Sequence, residues 1–523
     1  MDARTLSMRR VARVGLAACL SAAVVSVLAQ APVTPDEAME AAEPDGSSSP
    51  PGRVAGTERS GRDAETADSA AADDDAAEGI ELPESLAPKL ALLSPEQREF
   101  LESGAVRRFA PPPEKLIQAI EKRSPADVKA YVEAMMWVEE QQKFEAGRDL
   151  AAIPLQTESP DFNAWKARRP RSFDPPREPG PIDLSRYIGG GSGIPTFAGA
   201  PVALTPEDLV AGSVEVAIVG APLNMGSGWR DADHGPLALR LMGRQMASND
   251  QYTQVNPSEV LNIVDYGDIA IDNDSTERSM QHVRSVIREI AETGAIPVII
   301  GGDHSLEYPD VAAMVDVHGK GNVSVIHFDA HYDVGRNRPH LIDHGQPIYR
   351  LLADGHIKGS DYIQVGLRAS GPDEKTYKWM REEGFRYHTM AEVERYGWDA
   401  VLERVLAEAK ADGRKLFISF DVDVLDPSYI AGTGTPVPGG LTPREAIPIV
   451  RRLCAENDMV GFDLVEVAPE LDPTYVTSLH SAFIVKACLT GIAMRKQGLT
   501  EPHYLNPVTL DHAQDKDHEE NDR

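Results

Sequence analysis

Val323-Ser-Val-Ile-His-Phe-Asp-Ala-His-Tyr-Asp333 decides the fold: a mainly apolar run stops abruptly at Asp329, His331 and Asp333. On an extended chain alternate side chains project to one side, so these three polar groups leave the end of a strand together. Carboxylates and an imidazole crowded into one turn are costly unless a cation holds them, and the pattern points to a divalent metal. Two further stretches repeat it. Ile299-Ile-Gly-Gly-Asp-His-Ser305 ends an apolar run in Asp303 and His304, and Leu416-Phe-Ile-Ser-Phe-Asp-Val-Asp-Val-Leu-Asp-Pro427 ends one in Asp421 and Asp423.

Outward from these stretches, apolar runs at residues 214–219, 297–300, 323–328, 362–365, 416–420 and 460–464 read as strands buried on both faces. Helical periodicity falls between them, at residues 277–293, 400–410, 443–456 and 478–495. The alternation predicts an α/β domain with a doubly wound, mostly parallel sheet flanked by helices. Ligands of such sheets gather at the carboxyl ends of strands, where the three acidic stretches fall.

His304, Asp329, His331, Asp333, Asp421 and Asp423 are the candidate ligands. An oxygen-rich set with two imidazoles and no thiolate suits Mn²⁺ better than structural Zn²⁺, with Ni²⁺ or Co²⁺ as alternatives. Six side chains exceed what one ion with an open position needs, so two ions are expected, sharing carboxylates and activating a water between them. The chemistry implied is attack by metal-bound hydroxide on an electron-poor carbon or phosphorus. Asp303 reads as an orienter beside His304, and Asp426 before Pro427 as a turn residue.

Gly301-Gly-Asp-His-Ser305, Asp329-Ala-His-Tyr-Asp333 and Ser419-Phe-Asp-Val-Asp-Val-Leu-Asp-Pro427 together resemble the three signatures of the ureohydrolase (arginase/agmatinase) family, in family order, and most closely its agmatinase branch. The likeness runs from about residue 194 to residue 498 and leaves the N-terminal part uncovered. It implies an arginase-like fold, two Mn²⁺ and hydrolysis of a guanidino group to urea and an amine. It assigns His304, Asp333 and the bridging Asp329 and Asp421 to one ion, and His331, Asp423 and the same bridges to the other. Glu466, in Gly461-Phe-Asp-Leu-Val-Glu-Val-Ala-Pro469, matches the guanidinium-binding glutamate; a carboxylate facing a planar cation makes a two-pronged clamp. His344, in Asp343-His-Gly-Gln346, matches the proton-shuttling histidine, and Asp333 would pass a proton to the leaving amine.

Agmatine is the substrate the resemblance favours. Family arginases carry Ser and Asn after the second metal motif to read an α-amino acid, whereas Val334-Gly-Arg-Asn-Arg-Pro-His-Leu-Ile-Asp343 does not, so arginine is excluded as the expected substrate. Arg336 and Arg338 in that stretch are substrate-binding candidates that would greet a carboxylate, giving a guanidino-acid hydrolase of the guanidinobutyrase type as the alternative. A deacetylase-like amidohydrolase on the same fold is a further alternative, weakened by the complete ligand set and by Glu466.

The flanks differ in composition. Residues 1–31 carry Arg4, Arg9, Arg10 and Arg13, an uncharged apolar stretch and Ala29-Gln-Ala31, which reads as a secretory signal peptide and implies a periplasmic or extracellular protein without a stable membrane anchor after cleavage. Residues 32–85 read as a disordered acidic spacer, 86–155 as a helical extension, 156–193 as an irregular linker, 194–498 as the catalytic domain and 499–523 as a polar tail. Ser94-Pro-Glu-Gln97 looks like a capping box. Val128, Tyr131, Val132, Met135 and Met136 form an apolar stripe, expected to dock onto the main domain or a neighbouring subunit. With a net charge of -30, nucleic acid is not an expected partner. The resemblance implies a homo-oligomer, trimer or hexamer. Beyond Cys19, only Cys454 and Cys488 are present, both in apolar helical segments.

Overall fold

A computed structural model describes residues 80–109, 112–141, 167–185, 193–225, 232–244, 246–273, 275–336, 343–411 and 413–509. The expected signal peptide, most of the acidic spacer, the end of the polar tail and Arg338 lie outside these residues.

Eight parallel strands form one sheet in the order β2-β1-β3-β8-β7-β4-β5-β6. They are β1 Val216–Ala221, β2 Ile263–Asp268, β3 Ile296–Gly301, β4 Val323–Phe328, β5 Tyr362–Leu367, β6 Arg386–Thr389, β7 Lys415–Asp421 and β8 Met459–Val465. The six apolar runs became β1, β3, β4, β5, β7 and β8, every one of them buried over nearly its whole length. Two apolar cores, one on each face, are closed by helices such as Thr276–Glu292, Glu307–His318, Pro443–Glu456 and Val476–Lys496. Val476–Lys496 is the described helix apolar and long enough to cross a membrane, and most of it is buried in this core.

The two strands that apolar runs do not reveal, β2 and β6, are the sheet's edges. In β2, Asp265 interrupts the run because it receives the buried Arg240, whose Nε and Nη2 donate to it at 2.8 and 3.0 Å. β6 is four residues long with only His388 buried, so it has no apolar face to announce itself.

The helices Pro95–Glu102, Pro113–Glu121 and Pro125–Gln141 form a separate apolar cluster. Ser94 and Gln97 close the capping box by donating and accepting across the first turn. The apolar stripe does not dock onto the sheet domain as expected. Val128, Tyr131, Val132 and Met135 pack against Leu101, Leu116 and Ile120 of the neighbouring helices, and Tyr131 meets Phe173 edge-on at 5.3 Å. The stripe lacked an apparent partner because Pro113–Glu121, which supplies Leu116 and Ile120, is too short to stand out as a helix. Arg123, 2% exposed, then ties this cluster to the linker by donating to the carbonyls of Ser172, Phe173 and Asp174 at 2.9 to 3.0 Å. Arg168 reaches the sheet domain through Glu289, touching both carboxylate oxygens at 2.7 Å.

Candidate metal centre

Four adjacent strands in the middle of the sheet, β3, β8, β7 and β4, deliver the polar groups from their carboxyl ends. Past β3 the chain must turn against the exit of β1, where a side chain at Gly302 would place its Cβ 1.7 Å from the Leu223 carbonyl oxygen. Only glycine permits that approach. The Gly302 carbonyl in turn accepts from the Glu466 amide at 2.7 Å, so the exits of β3 and β8 are laced together. Asp303 is buried and caps the short helix His304–Leu306, accepting from the Ser305 amide at 3.1 Å, and is an orienter of the turn.

The six expected ligands come together as two groups, each around one imidazole. His304 Nδ1 lies 3.0 Å from Asp329 Oδ2, 3.1 Å from Asp421 Oδ2 and 3.3 Å from Asp333 Oδ2. His331 Nδ1 lies 3.2 Å from Asp329 Oδ1 and 3.0 Å from Asp423 Oδ2. Asp329 thus gives one oxygen to each group. Asp421 gives one oxygen to the His304 group, while its Oδ1 accepts from the Asp423 amide at 2.7 Å.

This donor set fits divalent cations. His304 Nδ1 and Asp329 Oδ2 are buried and close, yet neither has a hydrogen-bond partner among the described residues, because they aim at a common focus and not at each other. The tautomer agrees: His304 Nε2 meets Ser419 Oγ at 3.0 Å, and Ser419 donates onward to Asp463 Oδ1 at 2.8 Å, which leaves the Nδ1 lone pair for the focus. Without a cation the charges do not balance. Burial and the neighbouring Asp329 push the Asp423 carboxyl up to about 6. Burial would lower His331, but the hydrogen bonds it donates to Asp329 and Asp423 hold it at about 12. Protons would have to do there what a dication does better.

Beside this focus stands Glu466, 1% exposed, on a backbone with φ +65°, and Asp333 has φ +38°. Both are in the left-handed region that non-glycine residues seldom occupy, a strain that neighbouring structure must hold in place. Glu466 Oε1 accepts from the His304 amide at 2.9 Å and contacts His344 Nδ1 at 3.1 Å. Its Oε2 is buried with no partner among the described residues. His344 is drawn up to about 9; burial opposes this, and the hydrogen bond and charge of Glu466 outweigh it.

Four contributors lay outside the sequence-based reading. His327, two residues before Asp329 and therefore on the same side of β4, places Nε2 3.2 Å from Asp329 Oδ2 and Nδ1 3.1 Å from Glu307 Oε1, and its ring stacks on His304 at 4.7 Å. Ser419 and Asp463 fix His304 as described above. Arg368, at the exit of β5, donates to the carbonyls of Asp423 and Val437, both at 2.7 Å, and so holds the loop carrying Asp423. By contrast Arg336 lies over the Trp379 ring, 4.6 Å from its centroid.

Comparisons with known proteins agree with the geometry. Residues 214–491 match the family described as the arginase family. A guanidinobutyrase of Pseudomonas aeruginosa is 34% identical over 319 residues, covering 58% of this chain and 97% of that protein. A mitochondrial agmatinase of Gallus gallus is 34% identical over 282 residues, covering 53% and 81% respectively. Among solved structures, Trypanosoma cruzi formiminoglutamase with Mn2+2 superposes with a TM-score of 0.50 at 25% identity, covering 54% of this chain and 95% of the other.

Proposed function

The chain belongs to the arginase family, whose members hydrolyse guanidino and amidino C–N bonds, and from that premise we propose that it is an agmatinase-like ureohydrolase. A linear guanidino compound and one water would give urea and a primary amine. The observation that carries this reading is the buried Oε2 of Glu466 beside the carboxylate focus, which has no hydrogen-bond partner among the described residues. A buried carboxylate oxygen without a donor is costly, and a planar guanidinium supplies paired donors at the spacing that satisfies it.

His304, Asp333, Asp329 and Asp421 would hold one ion, and His331 and Asp423 the other with the shared carboxylates. When bound, two Mn²⁺ would supply a water acidic enough to attack carbon at neutral pH. The protein's own residues do the rest. Glu466 fixes the guanidinium plane over the focus and balances its positive charge. His344, cationic up to about pH 9, stands ready to move a proton at Nδ1, and Asp333 passes one to the departing amine. As an acid, His344 is competent below about pH 9 and loses its proton above it. The rate is therefore expected to fall as pH rises through about 9, and His344→Asn to lower the plateau by about 10² while removing that limb. A pH–rate profile of both proteins, with metal content measured alongside, checks this.

Agmatine is the proposed substrate. The second reading, a guanidino acid such as guanidinobutyrate, is favoured by the guanidinobutyrase relative. It gains nothing from Arg336, whose cation is engaged on Trp379. Comparing kcat/KM for agmatine and guanidinobutyrate decides between them: agmatine is expected to win by at least about tenfold, roughly the worth of one favourable against one unfavourable end-group charge. A reversal assigns the acid. We further propose, from residues 1–31, that the protein is exported; N-terminal sequencing of the protein recovered from its host would then start near Pro32. Self-association as a trimer or hexamer follows from the family reading, and light scattering measures it.

A further inference from the structure

We propose that Cys454 and Cys488 are a cross-linking site: outside a reducing cytoplasm they form a disulfide that ties the helix Pro443–Glu456 to the helix Val476–Lys496. The two sulfurs lie 2.9 Å apart, and both side chains are wholly buried between the helices. Gly491, one turn beyond Cys488, brings the backbones that close. A Cβ at Gly491 would sit 2.4 Å from the Arg451 carbonyl oxygen and 2.7 Å from Cys454 Cβ, so the crossing tolerates no side chain there.

Other uses of a paired thiol do not fit. Neither cysteine belongs to a group of residues able to hold a metal among the described residues. Burial and the adjacent Cys488 push the Cys454 thiol far up, which removes it as a nucleophile in the folded state. What remains for two apposed, protected sulfurs is each other.

The step balances through thiol–disulfide exchange. One thiolate attacks the disulfide form of a dithiol oxidoreductase, or a small disulfide such as oxidised glutathione, giving a mixed disulfide. The second cysteine displaces the carrier. One S–S bond forms in the chain and one breaks in the oxidant, which leaves as two thiols carrying the two electrons and two protons. Because both sulfurs are enclosed in the fold, exchange takes place before the helices close.

The consequence bears on the candidate site. The residues joined are 34 apart, and the loop they close contains all of β8 and Glu466. A closed loop restricts the unfolded chain more than the folded one, so the bond resists loss of the strand that delivers Glu466 without touching the reacting groups. In the cell the inference rests on the proposed export; in the tube it does not.

The test refolds the full chain in a glutathione redox buffer, quenches with an alkylating agent in denaturant and maps the peptides, which keeps Cys19 apart from the pair. The expected result is a linked peptide pair with neither Cys454 nor Cys488 alkylated. Reduction should lower Tm by several degrees and leave urea release at 25 °C unchanged. The double variant Cys454→Ala/Cys488→Ala should melt like the reduced protein and ignore reductant. Two alkylated thiols, or a separate glutathione on each, after oxidative refolding would overturn the proposal. So would a wild-type Tm no more sensitive to reductant than that of the double variant. If the bond forms in the tube but protein taken from its host is reduced, the export reading fails and the cross-linking site stands.

Discussion

Asp329→Asn is expected to abolish urea release, by at least about 10⁴-fold, and to strip the purified chain of metal. Asp329 faces both groups, with Oδ2 3.0 Å from His304 Nδ1 and Oδ1 3.2 Å from His331 Nδ1. Loss of its charge weakens both sites together, whereas Asp423→Asn should spare the His304 group. Misfolding is separable from ligand loss. In metal-free protein, burial would raise the Asp329 carboxyl, but the facing imidazoles of His304, His327 and His331 outweigh it and hold the group well below the usual carboxylate range. Asp329→Asn should therefore also lower Tm, while a retained circular-dichroism spectrum separates ligand loss from misfolding. Metal analysis after dialysis, with melting curves of the metal-free proteins, checks the prediction. An Asp329→Asn chain that keeps two ions and a tenth of the activity would contradict it.

Glu466→Gln is expected to lower kcat/KM for the guanidino substrate by about 10³ while leaving metal content unchanged. Glutamine keeps the shape and can still accept from the His304 amide, now made at 2.9 Å. It brings an NH₂ where the guanidinium needs an acceptor, and it removes the only charge this residue offers. Truncating one partner of a buried, hydrogen-bonded charge pair costs roughly 2 to 5 kcal/mol, which spans the predicted loss. A second readout follows from His344, which Glu466 holds cationic. In the variant, the alkaline limb of the pH profile should move to lower pH, an effect that a general loosening of the fold would not produce.

The sheet's interior and the clustering of the six candidate side chains were legible in the sequence because one physical pattern wrote both. A parallel strand buried on two faces must be apolar throughout, so the first carboxylate after it marks the strand's end and the site at once. β4 is the clearest case, ending at Phe328 with Asp329 next. The edges were not legible for the same reason reversed: β2 buries Asp265 against Arg240, and β6 buries little. His327 could have been found, since the period-two argument that joined Asp329, His331 and Asp333 extends back to it. Ser419 and Asp463 could not, because their meeting beneath His304 depends on β7 and β8 being neighbours. Arg336 shows the limit of reading charge without geometry: a cation near the site in sequence is spent on the face of Trp379. The partner of the stripe on Pro125–Gln141 was hidden in Pro113–Glu121, whose nine residues hold only two buried apolar side chains.

The most direct test of the central claim is to load the metal-free chain with Mn²⁺, add agmatine and measure urea and amine together. Equal amounts of urea and putrescine are expected, with two ions per active chain and neither product from Glu466→Gln on the same timescale. Two bound ions with no urea from agmatine, guanidinobutyrate, guanidinopropionate or arginine would contradict it, because the clamp and the focus would then be serving some other chemistry.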